Sequence, residues 1–275
     1  MNPPEQQAQL RDTQAAFDSV AADYDGPRGN NDAIQDMRAE MWRWLDATFA
    51  PGSQLIDLGC GTGLDAVRMA SLGHRVTATD WSSQMVERTR DRAERAGLAE
   101  RVQSLPVGAH ELQHLGGRQT FDGAYSNLGP LNCVPDLGAV SRECARLLRP
   151  GGALVFTVIG RVCPWEIAHY TMRRRWDRVA LRFARHVVPV GMNKRTIWTR
   201  YFTPGEFYKD FEADFTLEHV RGLCVFVPPP YLTWVQQRHP RWHERLWRWD
   251  RRMAGWAGIR AMGDHFLIVM RRRSN

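Results

Sequence analysis

The chain has 275 residues, 43% hydrophobic and 24% charged, with a formal net charge of +7 at pH 7. It is long enough to bury a sizeable core, as one large domain or as a domain with a cap. It has no uninterrupted apolar run of membrane-spanning length, and its polar start, "MNPPEQQAQLRD", lacks the apolar centre of a secretory leader, so a cytoplasmic protein is expected. Cys60, Cys133, Cys144, Cys163 and Cys224 are odd in number and scattered, which excludes a disulfide framework and paired metal spacing. The charge is uneven. Residues 1–160 hold 15 Lys and Arg against 20 Asp and Glu, a net −5; residues 161–275 hold 22 against 10, a net +12, together with eight of the eleven tryptophans.

In chain order, the first strong pattern runs from Asn31 to Phe49. Ile34, Met37, Met41, Leu45 and Phe49 form one helical stripe, with Asn31 placed to cap it. Leu55, Ile56 and Leu58 read as a buried parallel strand. The strand ends in Asp57-Leu58 and then Gly59, Gly61 and Gly63, after which Leu64 to Leu72 reads as a helix. A glycine turn from a strand to a helix N-terminus is a nucleotide-cofactor loop in outline, because glycine reaches positive φ and lets a ligand approach the backbone. The spacing departs from the dinucleotide fingerprint at Leu64, and no lysine follows for a phosphate loop. Asp57 can accept from an ammonium group or orient the loop. Val76 and Ala78 alternate on a second strand that ends in Asp80, where a carboxylate can accept both hydroxyls of a ribose. Trp81 and Met85 follow, able to pack on an adenine.

Asp57 to Gly63 with Asp80 resembles the central signature of the class I S-adenosylmethionine-dependent methyltransferases. "FDGAYSNLGPLNCV" (Phe121 to Val134) resembles that family's fourth strand, and "LLRPGGALVFTVIG" (Leu147 to Gly160) its helix, turn and fifth strand. The resemblance implies an α/β, Rossmann-like seven-stranded sheet with an antiparallel last strand, and S-adenosyl-L-methionine as cofactor. It places the loop at Asn127 beside the reactive methyl, and the segment "FDSVAADYD", with Tyr24, over the cofactor as in methyltransferases of quinone biosynthesis. Where the family often has an aspartate for the adenine amine, this chain has Ala109 and His110.

The remaining core elements are a helix at "TPGEFYKDF", with Thr203 as cap and Pro204 at its first position, and two strands, Phe215 to Val227 and Asp264 to Arg272. Two insertions interrupt a single domain spanning 1–275. In 161–200, Met172, Trp176, Val179, Ala180, Phe183 and Val187 recur at helical spacing, with arginines including Arg182 on the other faces. In 228–263 the stripe is Trp242, Leu246, Trp249, Met253 and Trp256. Each stripe is expected to face the core, with the arginines solvated. Both insertions leave the sheet at the edge where open α/β sheets bind ligands, so both are expected as helical lids over the active-site edge. At least one of Trp165, Trp176 and Trp234 is then expected to line an acceptor pocket.

A sulfonium methyl is already electrophilic, so holding the acceptor at attack distance supplies much of the catalysis. No metal is expected. His265 and His169 are the candidate bases, with Glu166 and Tyr170 behind them. The acceptor is expected to be a small hydrophobic metabolite of quinone, polyketide or lipid type. An RNA methyltransferase and a non-catalytic cofactor-binding partner are the alternatives, and nucleic acid is disfavoured because no separate RNA-binding module is present. The basic, tryptophan-bearing helices are also suited to an anionic membrane surface.

Overall fold

A computed structural model describes residues 3–27, 29–117, 119–232 and 234–274. The strands are β1 (Gln54–Leu58), β2 (Arg75–Thr79), β3 (Val102–Leu105), β4 (Phe121–Ser126), β5 (Leu148–Ile159), β6 (Val188–Met192), β7 (Arg195–Thr199), β8 (Phe215–Leu223) and β9 (His265–Arg272). The helices are α1 (Pro3–Val20), α2 (Asp32–Thr48), α3 (Leu64–Ser71), α4 (Ser83–Arg95), α5 (Leu137–Leu147), α6 (Pro164–Met172), α7 (Trp176–Phe183), α8 (Pro204–Lys209), α9 (Trp234–Arg238) and α10 (Pro240–Met253).

Seven strands form one sheet in the order β3-β2-β1-β4-β5-β9-β8, and β6 pairs with β7 as a separate hairpin. Only β9 runs against its neighbours in the large sheet. Adjacent residues of a strand point to opposite faces, and the core divides accordingly. Leu55, Val155, Leu267 and Val269 join Met37, Met41, Leu45, Met69 and Trp247 on one side. Ile56, Phe156, Phe266 and Ile268 join Leu147, Phe207, Phe211 and Phe215 on the other. The strand order reverses between β1 and β4, so the crevice at the sheet's carboxyl edge opens where the glycine loop stands.

The local signals for helix ends act as expected. The Asn31 side chain accepts from Ile34 N at 3.2 Å, and Thr203 and Glu206 form a reciprocal cap on α8.

The insertions depart from expectation in two ways. The end of the first is a β-hairpin, not a helix: Asn193 and Lys194 both adopt positive φ (47° and 62°) at a two-residue turn, and β6 and β7 pair on either side. The largest side chains of both apolar stripes also face outward, although Leu246 is partly buried against the core. Met172, Trp176 and Phe183 are 78%, 62% and 47% exposed, whereas Arg182 is buried. On α10 the buried residues are His243, Trp247 and Asp250, while Trp242 and Trp249 are 57% and 52% exposed. Polar partners decide this. Asp250 accepts from the backbone N–H groups of Val225 and Phe226, both at 3.0 Å, and this fixes which face of α10 is turned inward.

Candidate functional site: a cofactor cavity at the glycine loop

A cavity of about 210 Å³ lies at the carboxyl edge of β1, β2, β4 and β5. Tyr24, Gly59, Gly61, Asp80, Trp81, Met85, Ala109, His110 and Asn127 all line it, nine residues singled out from sequence. Two others do not. Gly63 is the left-handed residue that caps the N-terminus of α3, where a Cβ would meet Thr89 at 2.8 Å. Asp57 is buried behind the loop, and its Oδ2 has no hydrogen-bond partner among the described residues. Burial holds its pKa well above the usual carboxylate range, with the nearby Asp65 charge adding to the effect.

The loop geometry is built for close approach. Gly59, Gly61 and Gly63 have φ of 77°, 54° and 81°. A Cβ on Gly59 would collide with Pro130 at 2.4 Å, whereas a Cβ on Gly61 would only touch the Tyr24 ring, at 3.9 Å. Gly61 N donates to Asp80 Oδ2 and Ser82 N to Asp80 Oδ1, both at 2.9 Å. These bonds fix the Asp80 carboxylate at the cavity wall with lone pairs to spare for two hydroxyl donors. Burial raises its pKa to about 6 despite those backbone donors. Trp81 and His110 meet edge to face with centroids 4.6 Å apart, and Met85 lines the cavity with them. Burial lowers the pKa of His110, opposed by the nearby Glu111 charge.

The opposite end of the loop carries residues that sequence reading missed. Arg38, on the α2 stripe's flank, donates to Asp65 Oδ2 at 2.5 Å, and both residues line the cavity. Trp42 Nε1 and Asn127 Nδ2 also donate to Asp65, at 2.7 and 3.1 Å. The pair offers both charges that a zwitterionic amino-acid group needs. The N-terminal segment is tied over the loop: Thr62 Oγ1 donates to Asp25 Oδ1 at 2.8 Å, Arg92 pairs with the other Asp25 oxygen, and Gln14 Nε2 donates to Trp81 O at 2.9 Å. An aromatic wall, a carboxylate held by backbone donors and a pair of opposite charges are the kinds of group that the adenine, ribose and amino-acid end of S-adenosylmethionine would need.

Beyond the loop the cavity is apolar. Phe17, Pro130, Cys133, Val134, Ile159, Met192 and Ile197 line it, with Thr13 and Thr199. The hairpin is held against α1 by Trp198 N donating to Thr13 Oγ1 and Trp198 Nε1 donating to Asp12 Oδ2, both 3.1 Å. The Cys133 thiol, pushed up to about 11 by burial, is neutral. The sequence signal for this wall was the alternation on either side of Asn193-Lys194, which the helical spacing of the preceding segment obscured.

The remaining sequence candidates lie elsewhere. His265 Nδ1 is 2.9 Å from Asp264 Oδ2, and Arg182 joins this group, donating to Asp264 Oδ1 at 2.5 Å, Glu166 Oε2 at 2.7 Å and Gly160 O at 2.7 Å. His169 sits on α6 with its ring against Tyr170. Trp165 donates to Phe226 O at 2.8 Å, and Trp176 is exposed. His265, His169, Glu166, Tyr170, Trp165 and Trp176 are all absent from the cavity wall, and the side chain of Trp234 falls outside the described residues. No residue of 228–263 lines the cavity among those described. Cys163, Glu166 and Asp264 converge closely enough to suggest a metal site, but Arg182 pairs with both carboxylates, and its guanidinium fills the cation's place.

Fold and site together define an S-adenosylmethionine-binding transferase. Comparison with known proteins agrees: residues 55–152 match the family described as "Methyltransferase domain". A ubiquinone biosynthesis O-methyltransferase of Xanthomonas oryzae pv. oryzae (strain PXO99A) is 35% identical over 170 residues, covering 58% of this chain and 67% of that protein. Its counterpart from Xanthomonas axonopodis pv. citri (strain 306) is 35% identical over 157 residues, 54% of this chain, and the match spans 62% of that protein's length. The crystal structure of Burkholderia thailandensis 1,6-didemethyltoxoflavin-N1-methyltransferase superposes with a TM-score of 0.59 at 21% identity, covering 100% of this chain and 92% of that one. The chain belongs to the class I S-adenosylmethionine-dependent methyltransferases, and S-adenosyl-L-methionine is its cofactor.

Proposed function

We propose that the protein methylates a small, largely apolar acceptor of the quinone-precursor or polyketide kind, held between α1, the loop after β4 and the β6–β7 hairpin. The observation that carries this reading is the apolar extension of the cofactor cavity, walled by Phe17, Val134, Ile159, Met192 and Ile197. The Xanthomonas relatives, named for ubiquinone biosynthesis, support it. When bound, the cofactor supplies a methyl on a positively charged sulfur. Asp80 holds the ribose, the Arg38–Asp65 pair holds the amino-acid end, and Tyr24 covers the loop. The apolar wall excludes water and orients the acceptor, an arrangement in which proximity supplies several kcal/mol of the barrier reduction. Neither imidazole nor carboxylate stands among the described residues at the apolar end, so the acceptor is one whose nucleophile ionises readily by itself, such as an acidic phenol or enol.

The test is incubation of a cell extract with isotopically labelled S-adenosylmethionine and the protein, followed by chromatography of the labelled product. A small organic-soluble product is expected. Label recovered in RNA or protein would overturn the reading.

A further inference from the structure

Helix α10 carries a surface that the methyl-transfer site does not use. Trp242 and Trp249 lie seven residues apart, two helical turns, so they project from the same side about 10 Å apart along the axis. Both are more than half exposed, as is Trp256 in the turn that follows. Trp242, Arg245, Leu246, Arg248, Trp249 and Arg252 line one shallow surface hollow. Arg245 stands over the Trp242 ring at 5.7 Å, and Trp249 meets Phe226 edge to face at 6.1 Å, so the indoles are held in place while exposed. Arg241, Arg245, Arg248 and Arg252 are all exposed, and none forms a salt bridge among the described residues; Arg251, also exposed, lies away from this hollow, beside Asp36 and Glu40. Glu244 is the one exposed acid on this helix.

We propose that this face of α10 docks the protein on an anionic phospholipid surface. Four exposed guanidinium groups, those of Arg241, Arg245, Arg248 and Arg252, against one carboxylate match a negatively charged plane and not a neutral one. Exposed indoles, apolar in the body and polar at one edge, suit the headgroup region, and an amphipathic basic helix lies in that region without crossing it. No described helix is long and apolar enough to cross a membrane. The shape separates this from a nucleic-acid surface. Single-stranded RNA is tracked by a basic groove with bases stacked in succession, whereas these indoles stand on one side of a convex helix and meet a plane together. The surface lies on the second insertion, apart from the cavity wall, so the proposal stands or falls independently of the acceptor.

The experiment is cosedimentation of the full chain with vesicles of phosphatidylcholine alone or containing about one-third phosphatidylglycerol. Binding to the anionic vesicles only is expected, with a blue shift of indole emission. Trp242→Ala/Trp249→Ala and, separately, Arg245→Gln/Arg248→Gln should each weaken binding by at least about tenfold, with S-adenosylmethionine affinity unchanged. The arginine pair keeps the test valid if losing the Trp249–Phe226 contact unfolds the tryptophan pair. Failure of the wild type to bind anionic vesicles, equal binding to neutral ones, undiminished binding by the arginine variant, or displacement by single-stranded RNA at equal concentration would each overturn the proposal.

Discussion

The two insertions resemble each other in sequence and differ in what they reach. Both are rich in arginine and tryptophan, both interrupt the C-terminal half, and both leave the sheet at the ligand-binding edge. Only the first contributes to the cavity, and it does so through Met192, Ile197 and Thr199 on its hairpin and not through its helices. The second seats Trp247 among Met37, Met41 and Leu45 on one sheet face and adds no described residue to the cavity. Topology locates the point where a segment departs from the sheet. Its destination depends on which of its polar groups find partners.

The comparison sharpens most on two arginines that look alike in sequence. Arg182 is buried, with Asp264, Glu166 and the Gly160 carbonyl around it; Arg245 is exposed on α10. Removing one partner of a buried pair leaves the other charge uncompensated. Arg182→Met should therefore cost about 3–5 kcal/mol in denaturant unfolding, whereas Arg245→Met should stay within about 0.5 kcal/mol. Equal effects would mean that the α7 helix is not anchored through Arg182. The Arg182 charge also holds Asp264 well below the usual carboxylate range, the largest effect opposing the burial that would raise it. With its folded pKa depressed, Asp264 contributes stability above its unfolded pKa, and that contribution disappears as pH falls through its folded value.

At the cofactor end, Asp80→Ala should weaken S-adenosylmethionine binding by roughly 1.5–3 kcal/mol in calorimetry, the value of hydrogen bonds to an ionised group. Because burial raises Asp80 from 3.8 to about 6, affinity should rise by about tenfold from pH 5 to pH 7 and then level off. The stability sign is opposite to that of Asp264. A raised folded pKa gives stability that is full below the unfolded value and is lost as pH rises through about 6. Asp80→Asn should abolish the pH slope of binding; a slope that persists would assign it to another group.

The hairpin and α10 can be compared by acceptor kinetics. Ile197→Ala removes part of the apolar wall and should raise the acceptor KM by about tenfold, within the range for small changes in a hydrophobic pocket, while cofactor affinity stays within about twofold. Trp249→Ala, assayed with a water-soluble acceptor and no lipid, should leave KM unchanged. A KM effect from Trp249 would place the second insertion at the acceptor after all.

The parts legible in sequence share a physical reason. Gly59, Gly61, Asp80 and the strands around them are fixed by backbone geometry within a few residues, so spacing alone exposes them. The seven-stranded sheet followed from the same local signals together with the family resemblance. Arg38 and Asp65 were not legible as a pair, because 27 residues separate them and only folding brings them to 2.5 Å. The outward stripes were misjudged for a related reason. Hydrophobic spacing marks Trp242 and Trp249 as a core face when Asp250 is assumed to be solvated, yet Asp250 is buried by two backbone donors that sequence does not show. His265 reads as a base from its position at a strand start. The position is correct, but the ring is engaged with Asp264 away from the cavity wall.

At His265 the expected effect on turnover is small. A positioned general base is worth about 10²–10⁴-fold in rate, and reading His265 from its strand-start position predicts a loss of that size. Its surroundings predict otherwise: Nδ1 faces Asp264, Arg182 shares that carboxylate, and the acceptor end of the cavity is formed by other residues. Replacing the ring removes one hydrogen bond to a charged group, so His265→Gln should lower stability by about 1–3 kcal/mol and change turnover by less than about threefold. Turnover measured at saturating cofactor across pH 6–9 distinguishes the two outcomes. If the wild type shows a pH-dependent limb that the variant loses, with a hundredfold fall in rate and intact cofactor affinity, His265 reaches the acceptor during turnover. If the profiles superimpose while the unfolding midpoint drops, the residue belongs to the Arg182–Asp264 anchor that ties the first insertion to β9.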